Sequence, residues 1–135
     1  MIKLLIRTLF VSLFAVLLSG CYGDLGDDMP VEQNLVVALE PEPESALVRI
    51  FSTSYNFNVL IQSLMPRQGV TISVEYRQDS DNSVVFSRNY VTSTSPQPVT
   101  ITNIPFNEVG TVTVVVTSKT KSDNTQTKTF QLVRK

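Results

Sequence analysis

The stretch of sequence that decides the fold is residues 70–77, which read VTISVEYR. Apolar side chains occupy every second position, and hydroxyl or charged side chains lie between them. The apolar positions are Val70, Ile72, Val74 and Tyr76. Because successive side chains of a β-strand point to opposite faces, this alternation predicts a strand with one buried face and one face in water. The polar segment 79–83 then predicts a turn, after which Val84–Val91 pairs back as the next strand.

Short apolar segments and polar breaks continue on both sides of this hairpin. The further predicted strands are Leu35–Leu39, Ala46–Phe51, Tyr55–Ile61, Val99–Ile104, Thr111–Ser118 and a last one with Phe130 and Leu132 facing inward. Turns recur about every 8–12 residues, and after the first 20 residues no window longer than about ten has helical periodicity. We therefore expect an all-β fold, an antiparallel β-sandwich of about seven or eight short strands.

The segments 70–76 and 84–86, together with 110–114 and 127–130, resemble a bacterial immunoglobulin-like domain. The chain is similar to short secreted Bacteroidetes proteins that consist of such a domain and little else. The resemblance implies an immunoglobulin-like or fibronectin-like sandwich in an extracytoplasmic setting, and it brings no active site with it. The antibody type is excluded, because it has a buried Trp and a cysteine pair, whereas this chain has no Trp and one Cys.

The N-terminal residues have the three parts of a secretory signal. Two basic residues precede the apolar run Leu9–Leu18, and the segment 18–21 (LSGC) closes it. Ten apolar residues span roughly 15 Å as a helix, about half a bilayer core, which argues against a permanent transmembrane helix. The segment 18–21 resembles the lipobox of bacterial lipoproteins, which implies cleavage between Gly20 and Cys21 and attachment to a membrane through lipid on Cys21. The alternative is an ordinary secreted protein with a chance cysteine.

The predicted organisation is a removed signal peptide (1–20), an acidic flexible tether (21–34) and the immunoglobulin-like sandwich (35–135). Residues 21–44 hold seven acids and no base, whereas residues 45–135 hold nine bases and five acids. An acidic stem therefore carries a mildly basic domain.

Two features near Cys21 bear on the location of the protein. Position 22 is Tyr and not Asp, which favours the outer membrane over the inner one. The acids Asp24, Asp27 and Asp28 follow closely, and this cluster resembles the surface-export signal of Bacteroidetes lipoproteins. A plain solubilising tether is the alternative interpretation.

The sequence offers no catalytic group that would support an enzyme, and no cofactor is expected. There is no His, which removes the Ser-His-Asp triad and the commonest zinc ligand. Glu75 and Arg77, on one strand face, are interpreted as a surface ion pair and not as part of a glycosidase site. The segment 79–83 is interpreted as an Asx-type turn, because the glycine and the later Glu of a calcium loop are missing. No metal is expected, and the net charge of −1 predicts no binding of nucleic acid.

Phe106, between Pro105 and Asn107, lies in a loop at one predicted end of the sandwich. It is either an exposed contact residue for a partner or a plug that closes the core, and the plug is favoured. Most other aromatic residues sit at strand positions and are expected in the core. The last strand, with Lys128, Arg134 and Lys135, is expected to be a sheet edge protected by charge.

These features favour a lipid-anchored, non-catalytic immunoglobulin-like module of the cell envelope that binds a protein or glycan partner or helps to assemble an envelope complex. The alternative is a structural lipoprotein subunit of a secretion or conjugation machine. A carbohydrate-binding module, which the absence of Trp disfavours, and a small hydrolase are weaker alternatives.

Overall fold

The structure, a computed structural model, describes residues 31–43 and 45–135, and the structural statements below refer to these residues. They form eight strands and no helix, which confirms the predicted all-β fold. The strands are β1 (Val37–Glu40), β2 (Leu47–Ile50), β3 (Tyr55–Ile61), β4 (Val70–Gln78), β5 (Val84–Thr92), β6 (Gln97–Ile101), β7 (Val109–Ser118) and β8 (Thr125–Arg134). The described residues accordingly include no helix with the length and apolar character needed to cross a membrane.

The strands form two sheets of an immunoglobulin-like sandwich. The small sheet has the order β1-β3-β6, and the large sheet has the order β2-β8-β7-β4-β5. Neighbouring strands are antiparallel except for β2 and β8, which are parallel. The sequence predicted antiparallel sheets only. The difference arises because the chain does not reverse between β1 and β2; it passes through residues 41–46 from the small sheet to the large one and continues in the same direction.

The strand that contains residues 70–77 lies inside the large sheet. β4 pairs with β5 on one side and with β7 on the other, and Val74 stands opposite Val114. The apolar residues of β4 are buried and those between them are partly exposed, as the alternation predicts. The inner faces of both sheets build one core, whose buried members are Leu35, Val37, Leu39, Phe57, Val59, Ile61, Val70, Ile72, Val74, Tyr76, Val99, Ile101, Ile104, Val112, Val114, Val116, Phe130 and Leu132.

The ring of Tyr76 is fully buried next to Gly110 on β7. A Cβ atom on Gly110 would lie 2.3 Å from Cε2 of Tyr76 and 2.5 Å from the carbonyl oxygen of Arg77. Both distances are shorter than any ordinary van der Waals contact, so a larger residue cannot be added without moving β4. Glycine is required here because the neighbouring strand approaches closely.

The expectation that the last strand is a sheet edge is wrong for its C-terminal part. Residues 131–133 pair with β2 on one side and with β7 on the other. Among the described residues, 125–130 have no strand on the β2 side, and Lys128 lies in this uncovered part. The strands at the two edges of the large sheet are β2 and β5.

The strands run between two ends of the sandwich, which are named by their residues. The N-terminal end consists of residues 32–36 and the connections 62–69, 93–96 and 119–124. The aromatic end consists of the connections 51–54, 79–83 and 102–108 and the C-terminal Lys135.

Candidate functional site

Asn124 fastens the N-terminal residues of the domain to the β7–β8 connection. Its side chain is buried; Oδ1 accepts a hydrogen bond from the amide of Leu35 at 2.8 Å. Its Nδ2 donates to Oε1 of Glu32 at 2.7 Å and to the carbonyl oxygen of Gln33 at 2.9 Å. The compact unit therefore begins at Glu32, three residues before the predicted domain boundary at residue 35.

The carboxylate of Glu32 is held in its charged form. The hydroxyl of Ser118 is the main cause that lowers its pKa, and hydrogen bonds from Asn124 and Thr120 and the charge of Lys121 act in the same direction. Desolvation of the carboxylate opposes these effects, but the pKa stays below its ordinary value. At the N-terminal end, the buried amide of Asn124 and Oε1 of Glu32 are thus hydrogen-bonded, whereas Oε2 of Glu32 is buried without a hydrogen bond of its own.

Two loops of the aromatic end, 51–54 and 102–108, meet around the last residues of β8. The amide of Ile104 donates to the carbonyl oxygen of Thr53 at 3.0 Å and joins the loops 51–54 and 102–108. On one side of β8, the amide of Lys135 donates to the carbonyl oxygen of Ile50 at 2.8 Å. On the other side, the amide of Asn107 donates to the carbonyl oxygen of Arg134 at 2.8 Å.

These loops expose two phenylalanines, because Phe51 is 85% exposed and Phe106 is 66% exposed. The interpretation of Phe106 as a plug is therefore wrong, and its interpretation as an exposed residue agrees with the structure. Ile104 closes the core instead and is 1% exposed. Asn103 and Asn107 have positive φ angles of 59° and 61°, which Asn tolerates better than most residues, and they flank this short turn of the chain.

Phe51 is the residue of this end that the sequence analysis missed, since it was placed in the core with the other strand aromatics. β2 ends at Ile50, one residue earlier than predicted. The polar residues 52–54 that follow carried the signal for an early end of the strand.

Two cationic groups lie beside Phe106 and its loop. The guanidinium of Arg134 lies 5.7 Å from the ring centroid of Phe106, within cation–π range, and its Nη1 donates to the carbonyl oxygen of Ile104 at 3.4 Å. Nζ of Lys135 donates to Oδ1 of Asn107 at 2.6 Å. The aromatic end therefore combines exposed rings with the cations Arg134 and Lys135, while the connections 79–83 and 102–108 add the acids Asp79, Asp81 and Glu108. Aromatic residues and Arg are common at the energetic centres of protein interfaces.

A groove with a volume of about 680 Å³ leads along β2 toward this end. Its apolar walls come from Pro41, Pro43, Leu47 and Tyr55, and it ends at Ile50, the residue before Phe51. Burial raises the pKa of Tyr55. The ring of Tyr55 is 5.9 Å from the rings of Phe57 and Phe130, so the groove floor is fixed by the core.

The predicted ion pair between Glu75 and Arg77 is confirmed. The guanidinium of Arg77 contacts the Glu75 carboxylate through Nε and again through Nη2, at 3.3 Å from Oε2. Arg77 also donates to the carbonyl oxygen of Asn82 at 3.0 Å, and the hydrogen bond with Glu75 raises the pKa of Arg77. These contacts give the pair a structural role beside the turn that follows β4.

The predicted Asx-type turn at residues 79–83 is confirmed. The amide of Ser83 donates to Oδ1 of Asp81 at 2.9 Å, and the bonds to Ser83 lower the pKa of Asp81. Both oxygens of the Asp79 carboxylate accept hydrogen bonds from side chains of the same chain, from Thr111 at 2.8 Å and from Gln131 at 2.9 Å. Within 31–43 and 45–135, no three acids, cysteines or histidines are grouped so that they could hold a metal ion.

The residues that carry the lipoprotein prediction lie outside the described residues. They are Gly20, Cys21, Asp24, Asp27 and Asp28. A scan against models of protein families and a search of curated proteins return no match for this chain.

Proposed function

We propose that this chain is a lipid-anchored, non-catalytic module of the cell envelope that presents its aromatic end to a protein partner. The observation that carries the proposal is the exposure of Phe51 and Phe106 on two joined loops. Burying a phenylalanine side chain stabilises a protein by about 1.5–3 kcal/mol. A domain that leaves two of them in water at one end has the surface that a partner would cover.

The reach of the tether leaves the aromatic end accessible to a partner. Cys21 precedes Glu32 by 32 − 21 = 11 residues, which reach at most roughly 40 Å when extended. The ten-residue strand β8 adds about 33 Å. Because the tether reaches farther than the strand is long, the aromatic end would be accessible to a partner in either orientation of the domain above the membrane. We propose the outer membrane, with the domain on the cell surface, as the location.

A protein fits the aromatic end better than a glycan does. Phenylalanine has no polar group with which to bind sugar hydroxyls, and it gains most in an apolar socket. Arg134 and Lys135 next to Phe106 favour acidic groups around that socket. The partner surface that we propose is therefore an apolar pocket with acidic groups on the side that faces Arg134 and Lys135.

Labelling with palmitate in the native host tests the anchor. We expect label in the wild-type chain and none in Cys21→Ala, and we expect protease added to intact cells to remove the domain. Label without cleavage by the protease would place the partner in the periplasm and contradict the surface location. Absence of label from the wild type would contradict the anchor and leave the contact surface to be tested separately.

Crosslinking in the native host tests the contact surface. The chain is recovered after crosslinking from wild type, Phe51→Ser, Phe106→Ser and the control Leu64→Ser, and the attached proteins are quantified. Leu64 is a matched control because it is 67% exposed and lies at the N-terminal end. We expect one protein to be attached in wild type and control and to be lost in both phenylalanine variants. Equal recovery from all four chains would contradict the proposed surface; a stoichiometric multi-protein envelope complex lost in the same two variants would identify the partner as a machine.

A further inference from the structure

Three of the four sheet edges are protected against pairing with another strand. β1 and β2 are four residues long, and β6 contains Pro98, which has no amide hydrogen to donate. β5 differs, because it is nine residues long, contains no proline and carries a single charge, at Arg88. Natural sheets usually blunt edges with short strands, prolines or charges, and a long edge without them is a template for strand addition.

β5 also lies at the edge of the five-stranded sheet, and most of its residues are exposed. Phe86 and Tyr90 are half-buried against the core, and Arg88 between them is exposed. The guanidinium of Arg88 lies 5.7 Å from the ring centroid of Tyr90. On the opposite face of the strand, Val91 is 66% exposed. This edge therefore offers unpaired backbone groups, apolar surface and one cation.

We propose that β5 pairs antiparallel with β5 of a second copy of this chain, so that two large sheets join into one sheet of ten strands. In such a symmetric pair, residues that face each other must lie on the same face of the sheet. The twofold axis can then pass at Ser87, Arg88 or Asn89. An axis at Arg88 would place two guanidinium groups opposite each other, which is unfavourable.

The regular part of β5 selects the axis at Asn89. The pairing with β4 is regular from Phe86 to Thr92 and shifts register toward Val84. An axis at Asn89 pairs residues 86–92 of both copies, whereas an axis at Ser87 would include the irregular part. With the axis at Asn89, Arg88 stands opposite the partner subunit's Tyr90, and the cation–π contact is made a second time across the interface.

We propose a second copy as the partner of this edge because the side chains of two antiparallel β5 strands complement each other in this register. Each cation meets a ring, and the exposed Val91 meets the partner subunit's Ser87, without any like charges facing each other. Antiparallel pairing places the N-terminal ends of the two copies at opposite ends of the joint sheet. The 11 residues between Cys21 and Glu32 reach at most roughly 40 Å, which lets both chains reach one membrane.

Disulfide crosslinking of the full chain in its host tests the pairing and its register. In Asn89→Cys the two thiols would lie directly opposite each other, within the range of a disulfide. In Ser87→Cys or Val91→Cys the thiol would be about 13 Å from the same thiol of the second copy, since the two identical positions are four residues apart along the paired strands, at about 3.3 Å per residue. Under mild oxidation we expect a dimer from Asn89→Cys, little from either single control, and a dimer again when the two controls are coexpressed.

A second pair of variants separates strand pairing from random collision. Val91→Lys, added to Asn89→Cys, introduces charge into the paired segment and is expected to abolish the dimer. Val84→Lys is expected to leave the dimer, because Val84 lies outside residues 86–92 but is exposed on the same face as Val91: it stands opposite Arg77, and Val91 stands opposite Thr71. Wild type, which has Cys21 alone, shows any crosslink that Cys21 makes. A dimer from Ser87→Cys or Arg88→Cys in place of Asn89→Cys, a crosslink to a protein of different mass, or no dimer at all would overturn the proposal.

Discussion

The two ends of the sandwich differ in the side chains that they bury and in those that they expose. At the N-terminal end, Asn124 is 7% exposed and makes three side-chain hydrogen bonds to the residues that lead into β1. At the aromatic end, Phe51 and Phe106 stand in water although the core lies beneath their loops. The N-terminal end is fastened by a buried amide and exposes aliphatic side chains such as Leu64, whereas the aromatic end exposes two aromatic rings.

This difference separates residues that hold the fold from residues that are available for contact. A polar side chain that is buried with all its partners stabilises the domain and is inaccessible to another molecule. An exposed ring adds little to stability and is accessible. The variants below test this division, from the largest expected loss of stability to the smallest.

Gly110→Ala should have the largest effect, because it acts on the core between the two ends. The added methyl group would overlap the ring of Tyr76 and the carbonyl group of Arg77. Overpacking of this kind costs about 3 kcal/mol, and more where backbone must move. Urea unfolding followed by circular dichroism measures the loss. Thr113→Ala, at a partly exposed position of the same strand, is the control; equal midpoints for the two variants would show that β4 can shift freely.

The strands could be predicted because the alternation that defines each one lies within a few consecutive residues. The alternation in residues 70–77 sets both the strand and its buried face, and the same pattern located Tyr55–Ile61 without error. The parallel pairing of β2 with β8 could not be predicted in this way. It depends on the crossing of the chain from one sheet to the other between β1 and β2. The pairing itself joins segments that are more than 80 residues apart in the sequence.

Asn124→Ala should have the second largest effect. It leaves the amide of Leu35 and the carbonyl oxygen of Gln33 without their partner, and unpaired buried groups of this kind cost about 2–3 kcal/mol in sum. We expect a lower urea midpoint and faster hydrogen exchange of the Leu35 amide. Asn56→Ala, at an exposed position of β3, should change stability by less than about 0.5 kcal/mol. An unchanged Leu35 exchange rate in Asn124→Ala would show that the N-terminal residues are held by other contacts.

Part of the candidate site could be predicted from the sequence, and the rest could not, for different reasons. Phe106 was singled out because it interrupts a loop between Pro105 and Asn107. Whether its ring turned inward or outward depended on Ile104, which is buried in its place. Asn124 carried no local signal, since its side-chain partners lie about 90 residues earlier in the chain. Only the folded chain brings these residues together.

Glu32 should make the stability of the N-terminal end dependent on pH. Its pKa in the folded chain is lowered from 4.5, so the unfolded chain binds the proton more readily. Its contribution is therefore fully present above about pH 4.5 and is lost as the pH falls through the lower folded pKa. We expect Glu32→Gln to reduce the difference between urea midpoints at pH 7 and pH 3. Asp81→Asn should reduce a separate part of the same difference, which arises at the aromatic end. If both variants kept the wild-type difference between the two midpoints, neither carboxylate would contribute to the pH dependence.

Phe51→Ser and Phe106→Ser should have the smallest effects on stability. Phe51 loses little burial, and Phe106 loses a cation–π contact with Arg134 worth about 0.5–1 kcal/mol. Ile104→Ala, at the buried position of the same loop, should cost about 2–5 kcal/mol. If the serine variants unfold like wild type and lose the crosslinked partner, their rings serve contact and not the fold. If instead they destabilise the chain as much as Ile104→Ala does, the rings support the loops, and the observation that carries the proposed function no longer distinguishes the aromatic end from the N-terminal end.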